Sequence, residues 1–535
     1  MTNGALRFAV YAGLGIVIGA LVAVLEWITV EVALDAVLRA PIWLQATLPA
    51  FGAAVVALIL KIRPGLNSTT SDAYLHSFHS GTGAEANTLL PKLVASFATI
   101  GTGGAVGMEG PAVLTGATLG QSLGDRLPKV MGQRPRLILL VAGAAAGIAA
   151  IFKAPATGVL FAMESPYKRD ISRHGLIPAL VASAASYLTF VAILDDDPLL
   201  NFPSTEVRLQ DEIVAALTIG VLAGLVARGL AHVFRWAKHL DDSYGFNVRF
   251  ASSAVIFAVS LLLAQELVDR PLTLGLGAEM AADIVLDNKF GFITVMALFG
   301  LRVLVTGATL GVGGVGGVFI PLVVQGLLLG RAVEILVGAE STGLYPVIGL
   351  AAVLGAAYRT PLAAVVFVAE TTGRAEYVIP ALIATAISQS LMGEVSVSDG
   401  QRGEREGQLE RRLKEPCSAV MIEGSGKINP DADLLSVIDD YGTRTDALAV
   451  PVAGPRYEGL LVLHDLAAMM LEHGPEASAR EAMRDLPSVH QDAPAVDAAR
   501  LMNQHDTSAI AIVDDDERPV GVVTAMSLAG LSQLT

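Results

Sequence analysis

The sequence has few charged residues and almost no cysteine. Of its 535 residues, 16% are Asp, Glu, Lys or Arg and 6% are aromatic, whereas 53% are hydrophobic. A soluble domain usually devotes about a quarter of its residues to charge, so this composition excludes an ordinary soluble enzyme. The single cysteine, Cys417, excludes an intrachain disulfide.

The sequence also lacks signals for nucleic acid, metal or catalysis. It contains no basic stripe of the kind that binds nucleic acid. His76 and His79 have a spacing that could ligate a metal, but no carboxylate motif accompanies them. We therefore expect neither an enzyme nor a metal site, and no required cofactor.

What the sequence does contain is a series of long apolar runs up to about residue 395. Several approach the ~20 residues that cross a bilayer as a helix, and others are shorter and interrupted by Gly or Pro. The pattern predicts an α-helical polytopic membrane protein with tilted and broken helices. Further spans follow the first run, so we interpret that run as a membrane helix and not as a cleaved signal.

The composition changes abruptly at residues 396–416, which are polar and charged. Residues 401–535 hold 23 acidic and 12 basic residues, and so 11 of the 15 net negative charges. We predict a membrane domain at 1–400, a linker at 401–413 and an acidic soluble tail at 414–535. Basic residues in and beside the linker favour a cytoplasmic tail. They are Arg402, Arg405, Arg411, Arg412 and Lys414.

The tail itself has two similar halves. Residues 449–470 resemble residues 509–530, and a helical pattern precedes each. Each segment predicts a strand, a turn, a second strand and the start of a helix. We therefore predict a small α/β module of two units, at about 414–474 and 480–533.

The membrane domain contains an internal repeat as well. Segments 101–114 and 143–164 resemble 311–324 and 349–370, in the same order and at offsets of 210 and 206 residues. Two matched pairs in one order make chance a poor explanation. The two halves are predicted to span about 5–195 and 210–395.

Each copy of the first segment is a Gly-rich loop that leads into a helix. The copies read GTGGAVGMEGPAVL at 101–114 and GVGGVGGVFIPLVV at 311–324. Each glycine costs a helix about 0.8–1.0 kcal/mol relative to alanine, and a proline suits the first helical turn. A backbone that leaves helical geometry inside the membrane is tolerated only where it faces protein or a water-filled cavity. We predict two helix N-termini that converge on an anion site, with close helix packing as the alternative for the glycines.

Glu109 stands in the first copy where Phe319 stands in the second. A carboxylate in the first turn after the loop is a tethered anion. It can occupy a site built for a free anion and vacate that site when it is protonated or swung aside. We therefore predict that Glu109 is a gate and that Phe319 leaves its backbone N–H for the permeant ion. The alternative is a carboxylate that caps its own helix.

These residues resemble the CLC chloride channels and proton-coupled chloride transporters. The resemblance rests on GMEGP at 107–111, GVFIP at 317–321 and GIAAIFKAPATGVLFAME at 147–164, and it covers roughly residues 5–398. It implies two inverted-topology repeats and a homodimer with a separate pore in each subunit. It also implies chloride as the permeant ligand, membrane lipid as a partner and a location in the cell membrane. The tail resembles the paired CBS domains that many members carry.

The resemblance assigns roles to single residues, beginning with Glu109 as the gating glutamate. The anion-binding positions that it implies are Ser68, Gly107, Gly110, Gly317, Val318, Phe319 and Ile320. In the tail, each half keeps part of a nucleotide-binding signature, at Gly459 and Asp465 and at Gly521 and Thr524. Because both signatures are incomplete, we expect adenine nucleotides to bind weakly or not at all.

The sequence departs from the family pattern around the pore. The family's central tyrosine should fall at Val397 or Ser398, and neither is tyrosine. We therefore expect a wider or less strictly gated inner pore. Met108 stands where many members have a cation beside the gate. Lys153 is predicted to supply positive potential nearby, or alternatively to extend to the membrane interface.

A further departure concerns protons. Ser165 occupies the position of the internal proton-transfer glutamate of exchangers, while Glu164, matched by Glu370, is expected to be structural. The sequence thus predicts passive or loosely proton-coupled chloride transport gated by Glu109, with a proton-coupled chloride antiporter as the alternative. A divalent-cation transporter with CBS regulation is less favoured, because helix N-termini repel cations.

Overall fold

The computed structural model divides the chain into two compact units, Met1–Glu404 and Arg405–Thr535. It describes residues 3–63, 70–81, 86–127, 135–173, 175–195, 197–202, 209–405, 407–423, 426–441, 449–474 and 476–530. The first unit is helical, and the second combines short strands and helices.

The first half of the membrane unit contains nine α-helices among the described residues. They are α1 (Asn3–Glu26), α2 (Asp35–Leu38), α3 (Ile42–Ile62), α4 (Ser71–Ser80), α5 (Ala86–Ile100), α6 (Glu109–Arg126), α7 (Pro135–Ile151), α8 (Pro155–Glu164) and α9 (Leu176–Ile193). A π-helical stretch, Trp27–Leu34, joins α1 to α2.

The second half contains eight α-helices in its described part. They are α10 (Leu209–Lys238), α11 (Phe246–Val268), α12 (Ala278–Leu286), α13 (Phe292–Gly311), α14 (Phe319–Val337), α15 (Leu344–Tyr358), α16 (Pro361–Thr372) and α17 (Val378–Leu391). Where the structure describes the membrane unit, seven helical stretches are long and apolar enough to cross a bilayer, and three further apolar helices are shorter. The predicted mixture of spanning and broken helices is confirmed.

Contacts between the two halves are reciprocal. The N–H of Ala105 donates to the hydroxyl of Thr309 at 3.1 Å, and the N–H of Val315 donates to the hydroxyl of Thr99 at 3.0 Å. The partners are related by the same 210-residue offset as the sequence repeat. Such an exchange of equivalent bonds requires an approximate twofold relation between the halves.

The loops before α6 and α14 also share their backbone geometry. Gly103 and Gly313 have φ angles of 101° and 92°, a region that side chains with a Cβ rarely adopt. At the next break, Lys153 and Arg359 both have positive φ, after α7 and α15, and Pro155 and Pro361 then begin α8 and α16. Glycine and proline therefore set the helix breaks in both halves.

The described part of the tail unit contains two small sheets. Its helices are α18 (Gln408–Lys414), α19 (Cys417–Val420), α20 (Leu434–Tyr441), α21 (Leu466–His473), α22 (Ala479–Ala482), α23 (Ala495–Gln504) and α24 (Ala525–Ala529). Its strands are β1 (Ile422–Glu423), β2 (Ala449–Ala453), β3 (Tyr457–Val462), β4 (Val489–His490), β5 (Ala509–Val513) and β6 (Pro519–Thr524).

The two halves of the tail are built alike. Strands β2 and β3 pair antiparallel, with Val450 opposite Leu461. The other sheet has the order β1-β6-β5-β4, and Ile510 lies opposite Val523.

Cys417 is buried among apolar side chains, and burial raises the pKa of its thiol to about 11, so the thiol stays protonated at neutral pH.

Candidate functional site

Glu109 is the first residue of α6, and its side chain is completely buried. Its Oε1 accepts a hydrogen bond of 2.6 Å from the backbone N–H of Phe319, the first residue of α14. The N–H of Ile320 also points to the carboxylate. The carboxylate of one half thus lies against the positive helix N-terminus of the other half.

Two glycines make room for this carboxylate. Gly107 and Gly317 form an antiparallel pair in which each N–H donates to the carbonyl of the other at 2.8 Å. A Cβ on either residue would collide with the carboxylate of Glu109. The antiparallel pair, made of equivalent residues, also shows that the two halves run in opposite directions here.

The side chain of Phe319 points away from the carboxylate into an aromatic cluster. Its ring centroid lies 4.4 Å from that of Phe152, 5.7 Å from that of Phe161, 5.9 Å from that of Tyr358 and 5.0 Å from that of Phe367. Phe319 is fully buried. It therefore contributes only its backbone N–H to the site, while its ring anchors the N-terminus of α14.

A cavity of about 100 Å³ lies beside this pair of glycines. We call it the tail-side cavity, because Val397, Ser398 and Asp399 in its wall come shortly before the end of the membrane unit. Its wall also contains the following residues: Thr70, Ser71, Asp72, Lys238, His239, Leu310, Gly314, Gly316, Gly317, Val318 and Tyr358. It reaches from the backbone of the glutamate site to a group of charged side chains.

The tail-side cavity contains a tyrosine that the sequence analysis missed. Val397 and Ser398 do line the cavity, but Tyr358, the last residue of α15, brings a phenol into the same space. Its hydroxyl faces the backbone N–H of Val318 and the hydroxyl of Ser71. The expectation of a wider or less strictly gated inner pore stays a prediction. The internal repeat could have indicated this tyrosine, because Tyr358 stands at the position equivalent to Phe152 and differs from it by a hydroxyl.

The remaining anion-binding positions have different outcomes. Ser68 lies outside the described residues. Thr70, two residues further on, contacts the loop before α14. Its hydroxyl donates a hydrogen bond of 3.4 Å to the carbonyl of Gly316. A Cβ on Gly110 would meet the backbone nitrogen of Gly317 at 2.9 Å. Gly110 therefore permits the close approach of the two loops.

Lys153 lies at the break between α7 and α8, and its side chain contacts residues other than Glu109. It forms an ion pair with Asp195 and donates to the carbonyl of Asp197 at 3.0 Å. These contacts tie it to the loop after α9. Its predicted role in pore electrostatics stays a prediction.

Glu164 and Glu370 each bind the N-terminus of the other half's helix. The carboxylate of Glu164 accepts from Leu362 and Ala363 at 3.1 and 2.8 Å. The carboxylate of Glu370 accepts from the N–H groups of Ala156 and Thr157 at 2.9 and 2.8 Å. This exchange supports the predicted structural role of both residues.

Ser165 directly follows α8 and is buried. Its carbonyl accepts a hydrogen bond of 2.8 Å from the side-chain amide of Gln401. The position where exchangers carry a glutamate is thus a small polar residue packed against the segment that follows α17.

The four tail residues of the nucleotide signature have local structural roles. A Cβ on Gly459 would meet Met483 at 2.7 Å, and one on Gly521 would meet the carbonyl of Ile422 at 2.7 Å. The hydroxyl of Thr524 accepts a hydrogen bond of 3.0 Å from the N–H of Ser527 and so caps α24. Asp465 lies directly before α21.

The fold and the site define a membrane protein of two inverted halves, whose broken helices meet at a buried carboxylate. Residues 51–393 match the family model described as voltage gated chloride channel, and residues 479–532 match the CBS domain. The chain belongs to the voltage-gated chloride channel (CLC) family. The predicted family and fold class are confirmed.

Curated relatives include H(+)/Cl(−) exchange transporters named ClcA. That of Vibrio cholerae is 25% identical over 307 residues, which are 55% of this chain and 64% of that protein. That of Vibrio vulnificus is 27% identical over 319 residues, or 57% and 66%. The chain thus spans somewhat less than two thirds of the length of these relatives.

Solved structures show the same fold. A CLC-type fluoride/proton antiporter has a TM-score of 0.62 at 21% identity and covers 74% of this chain and 98% of its own. A slow cyanobacterial Cl−/H+ antiporter has a TM-score of 0.63 at 20% identity, covering 73% and 96%. A eukaryotic CLC transporter covers 98% of both chains, with a TM-score of 0.58 and 17% identity.

Proposed function

We propose that this protein transports a small anion across the membrane and that Glu109 gates the pathway. The observation that carries the proposal is the 2.6 Å bond between the carboxylate of Glu109 and the N–H of Phe319. Backbone N–H groups at a helix N-terminus bind anions in general, so the donors that hold this carboxylate suit a free anion equally well.

The gate opens when the carboxylate leaves these donors. Within the described part of the chain, Oε2 of Glu109 has no hydrogen-bond partner. A buried charge with an unsatisfied oxygen is costly, and either protonation or movement into water removes that cost. A free anion then takes the place of the carboxylate at the N–H groups of Phe319 and Ile320.

We propose chloride as the permeant anion, a homodimer as the assembly, and the cell membrane with a cytoplasmic tail as the location. The names of the ClcA relatives support the choice of chloride. The basic residues of the linker support the orientation of the tail.

We further propose that transport is passive or loosely coupled to protons. Ser165 supports this, because a hydroxyl can relay a proton through water but does not store one near neutral pH. Proton-coupled exchange is the second candidate, and the names of the relatives favour it.

The test is ion flux through the full chain in liposomes, with chloride and protons measured separately. We expect chloride efflux down its gradient and little uphill proton movement driven by that gradient. Absence of chloride flux would overturn the proposed transport. Robust proton pumping with a fixed chloride-to-proton ratio would instead establish the exchanger.

The hydroxyl of Tyr358 is expected to strengthen anion binding. Tyr358→Phe keeps the ring in the aromatic cluster but removes the donor beside the N–H of Val318. A hydrogen bond to a charged group contributes about 1.5–3 kcal/mol, so chloride should bind at least about tenfold more weakly. Calorimetry on the purified protein measures this, and Tyr244→Phe, at an exposed tyrosine, is the control. An unchanged dissociation constant contradicts the role.

We also propose that the tail binds adenine nucleotides weakly or not at all. The hydroxyl of Thr524 is already engaged as a helix cap, which supports this. Calorimetry of the full chain with ATP, ADP and AMP provides the measurement. A micromolar dissociation constant, about −8 kcal/mol, would show the proposal to be wrong.

A further inference from the structure

A second carboxylate lies at the charged end of the tail-side cavity. Asp72 is in the first turn of α4, and its side chain is mostly buried, with 15% of its surface exposed. Its carboxylate forms an ion pair of 3.2 Å with Nζ of Lys238. It also accepts hydrogen bonds from the hydroxyl of Ser398 and the backbone N–H of Gly400.

The three groups that hold Asp72 are all donors. An ammonium, a hydroxyl and a backbone N–H together form the kind of concave donor set that binds small anions. They come from the last residue of α10 and from residues 398–400, whereas α4 contributes only the carboxylate. Removing Asp72 would therefore leave the donors in place. Lys238 is additionally anchored, since Nζ donates to the carbonyl of Val397 at 3.2 Å.

This donor set opens on the same cavity as the glutamate site. Lys238 and Ser398 line the tail-side cavity together with Gly317 and Val318. An anion that leaves the N–H groups at the start of α14 towards this side enters the cavity and next meets Lys238.

Two further titratable residues, His239 and Asp399, line the described part of this cavity. Arg235 lies 2.7 Å and His239 lies 3.5 Å from the carboxylate of Asp399. Arg235 is thus paired with Asp399, and Lys238 is the cation in the described cavity wall that lies beside Asp72.

We propose that Lys238, Ser398 and Gly400 form a second anion site and that the carboxylate of Asp72 occupies it as a latch. The ligand is the permeant small anion, which competes with Asp72 for Nζ of Lys238. The inference rests on the proposed transport function and extends it, because the pathway then has a tethered carboxylate at both ends of the cavity.

The first test counts bound chloride by calorimetry on the purified full chain. Asp72→Ala removes the latch and should increase the number of chloride ions bound per chain by one. Lys238→Met in the Asp72→Ala background should abolish the additional ion. Asp283→Ala, which removes an exposed carboxylate paired with Arg270 and is not part of the cavity wall, should leave the number unchanged. An unchanged stoichiometry in Asp72→Ala, or an additional ion that persists without Lys238, overturns the proposal.

Two further measurements, the melting temperature and chloride efflux, test the latch independently of the binding stoichiometry. The melting temperature of Asp72→Ala should rise more steeply with chloride concentration than that of the wild type, because the anion binds only the folded protein. Efflux from liposomes should be about fivefold faster in Asp72→Ala, because the tethered competitor is gone. Asp72→Glu, which retains the carboxylate, should behave like the wild type in both. Equal chloride dependence of melting, or equal efflux, contradicts the latch.

The proposed function and the latch fail in different ways. If neither the wild type nor Glu109→Gln moves chloride, the transport function fails, whereas calorimetry still tests the site. If Glu109→Gln changes efflux and Asp72→Ala changes neither efflux nor chloride binding, only the latch fails.

Discussion

Glu109→Gln should transport chloride at nearly the same rate at every pH. In the wild type, acid protonates the carboxylate and frees the donors at the start of α14, so efflux rises as the pH falls. We expect the variant to vary by less than about twofold between about pH 5 and 8, while the wild type slows by about tenfold or more as Glu109 ionises. Glutamine keeps the shape of the side chain but carries no charge. Chloride efflux from liposomes across this pH range is the measurement.

The control is Glu266→Gln, which neutralises an exposed carboxylate in α11. It should keep the wild-type pH profile. Full wild-type pH sensitivity in Glu109→Gln would show that Glu109 is not the gate. Among the described residues, no other carboxylate accepts a hydrogen bond from the N–H of Phe319.

Glu164→Ala should destabilise the membrane unit substantially. The carboxylate accepts two hydrogen bonds at the N-terminus of α16, and charge-assisted bonds contribute about 1.5–3 kcal/mol each. We expect a loss on the order of 3 kcal/mol, together with unpaired N–H groups at a buried helix end. Thermal unfolding in detergent, followed by size-exclusion chromatography, measures the effect.

The repeat supplies a matched comparison for this prediction. Glu370→Ala removes the equivalent bonds at the N-terminus of α8 and should be destabilising for the same reason. Glu376→Ala, at an exposed position shortly after α16, should have little effect. A stable Glu164→Ala protein that loses only proton movement would instead place Glu164 on a proton pathway.

The two halves are related but not equal, and the difference is functional. Glu109 and Phe319 occupy equivalent positions, and the first supplies a charged side chain while the second supplies a backbone N–H. If both positions carried glutamate, two carboxylates would face each other across the Gly107–Gly317 pair, where like charges repel. A single carboxylate against two converging helix N-termini avoids this repulsion.

Much of this arrangement follows from the sequence by itself. Glycine and proline restrict the backbone in ways that break a helix, so the sequence predicts the breaks before α6 and α14. The internal repeat is detected from the sequence alone, because its matching segments lie at nearly constant offsets of 210 and 206 residues. A lone glutamate in an apolar segment, at Glu109, stands out because a buried charge must have a partner or a function.

The contacts of Tyr358, Asp72 and Lys238 were decided only by the tertiary structure. Asp72 is 166 residues from Lys238 and 326 residues from Ser398 along the chain. No local pattern links such residues, because their contact depends on how α4, α10 and the segment after α17 pack together. The phenol of Tyr358 likewise reaches the cavity from a different helix than the family pattern suggests. Side-chain chemistry and chain periodicity are local properties, whereas the set of donors around a cavity depends on the packing of the whole membrane unit.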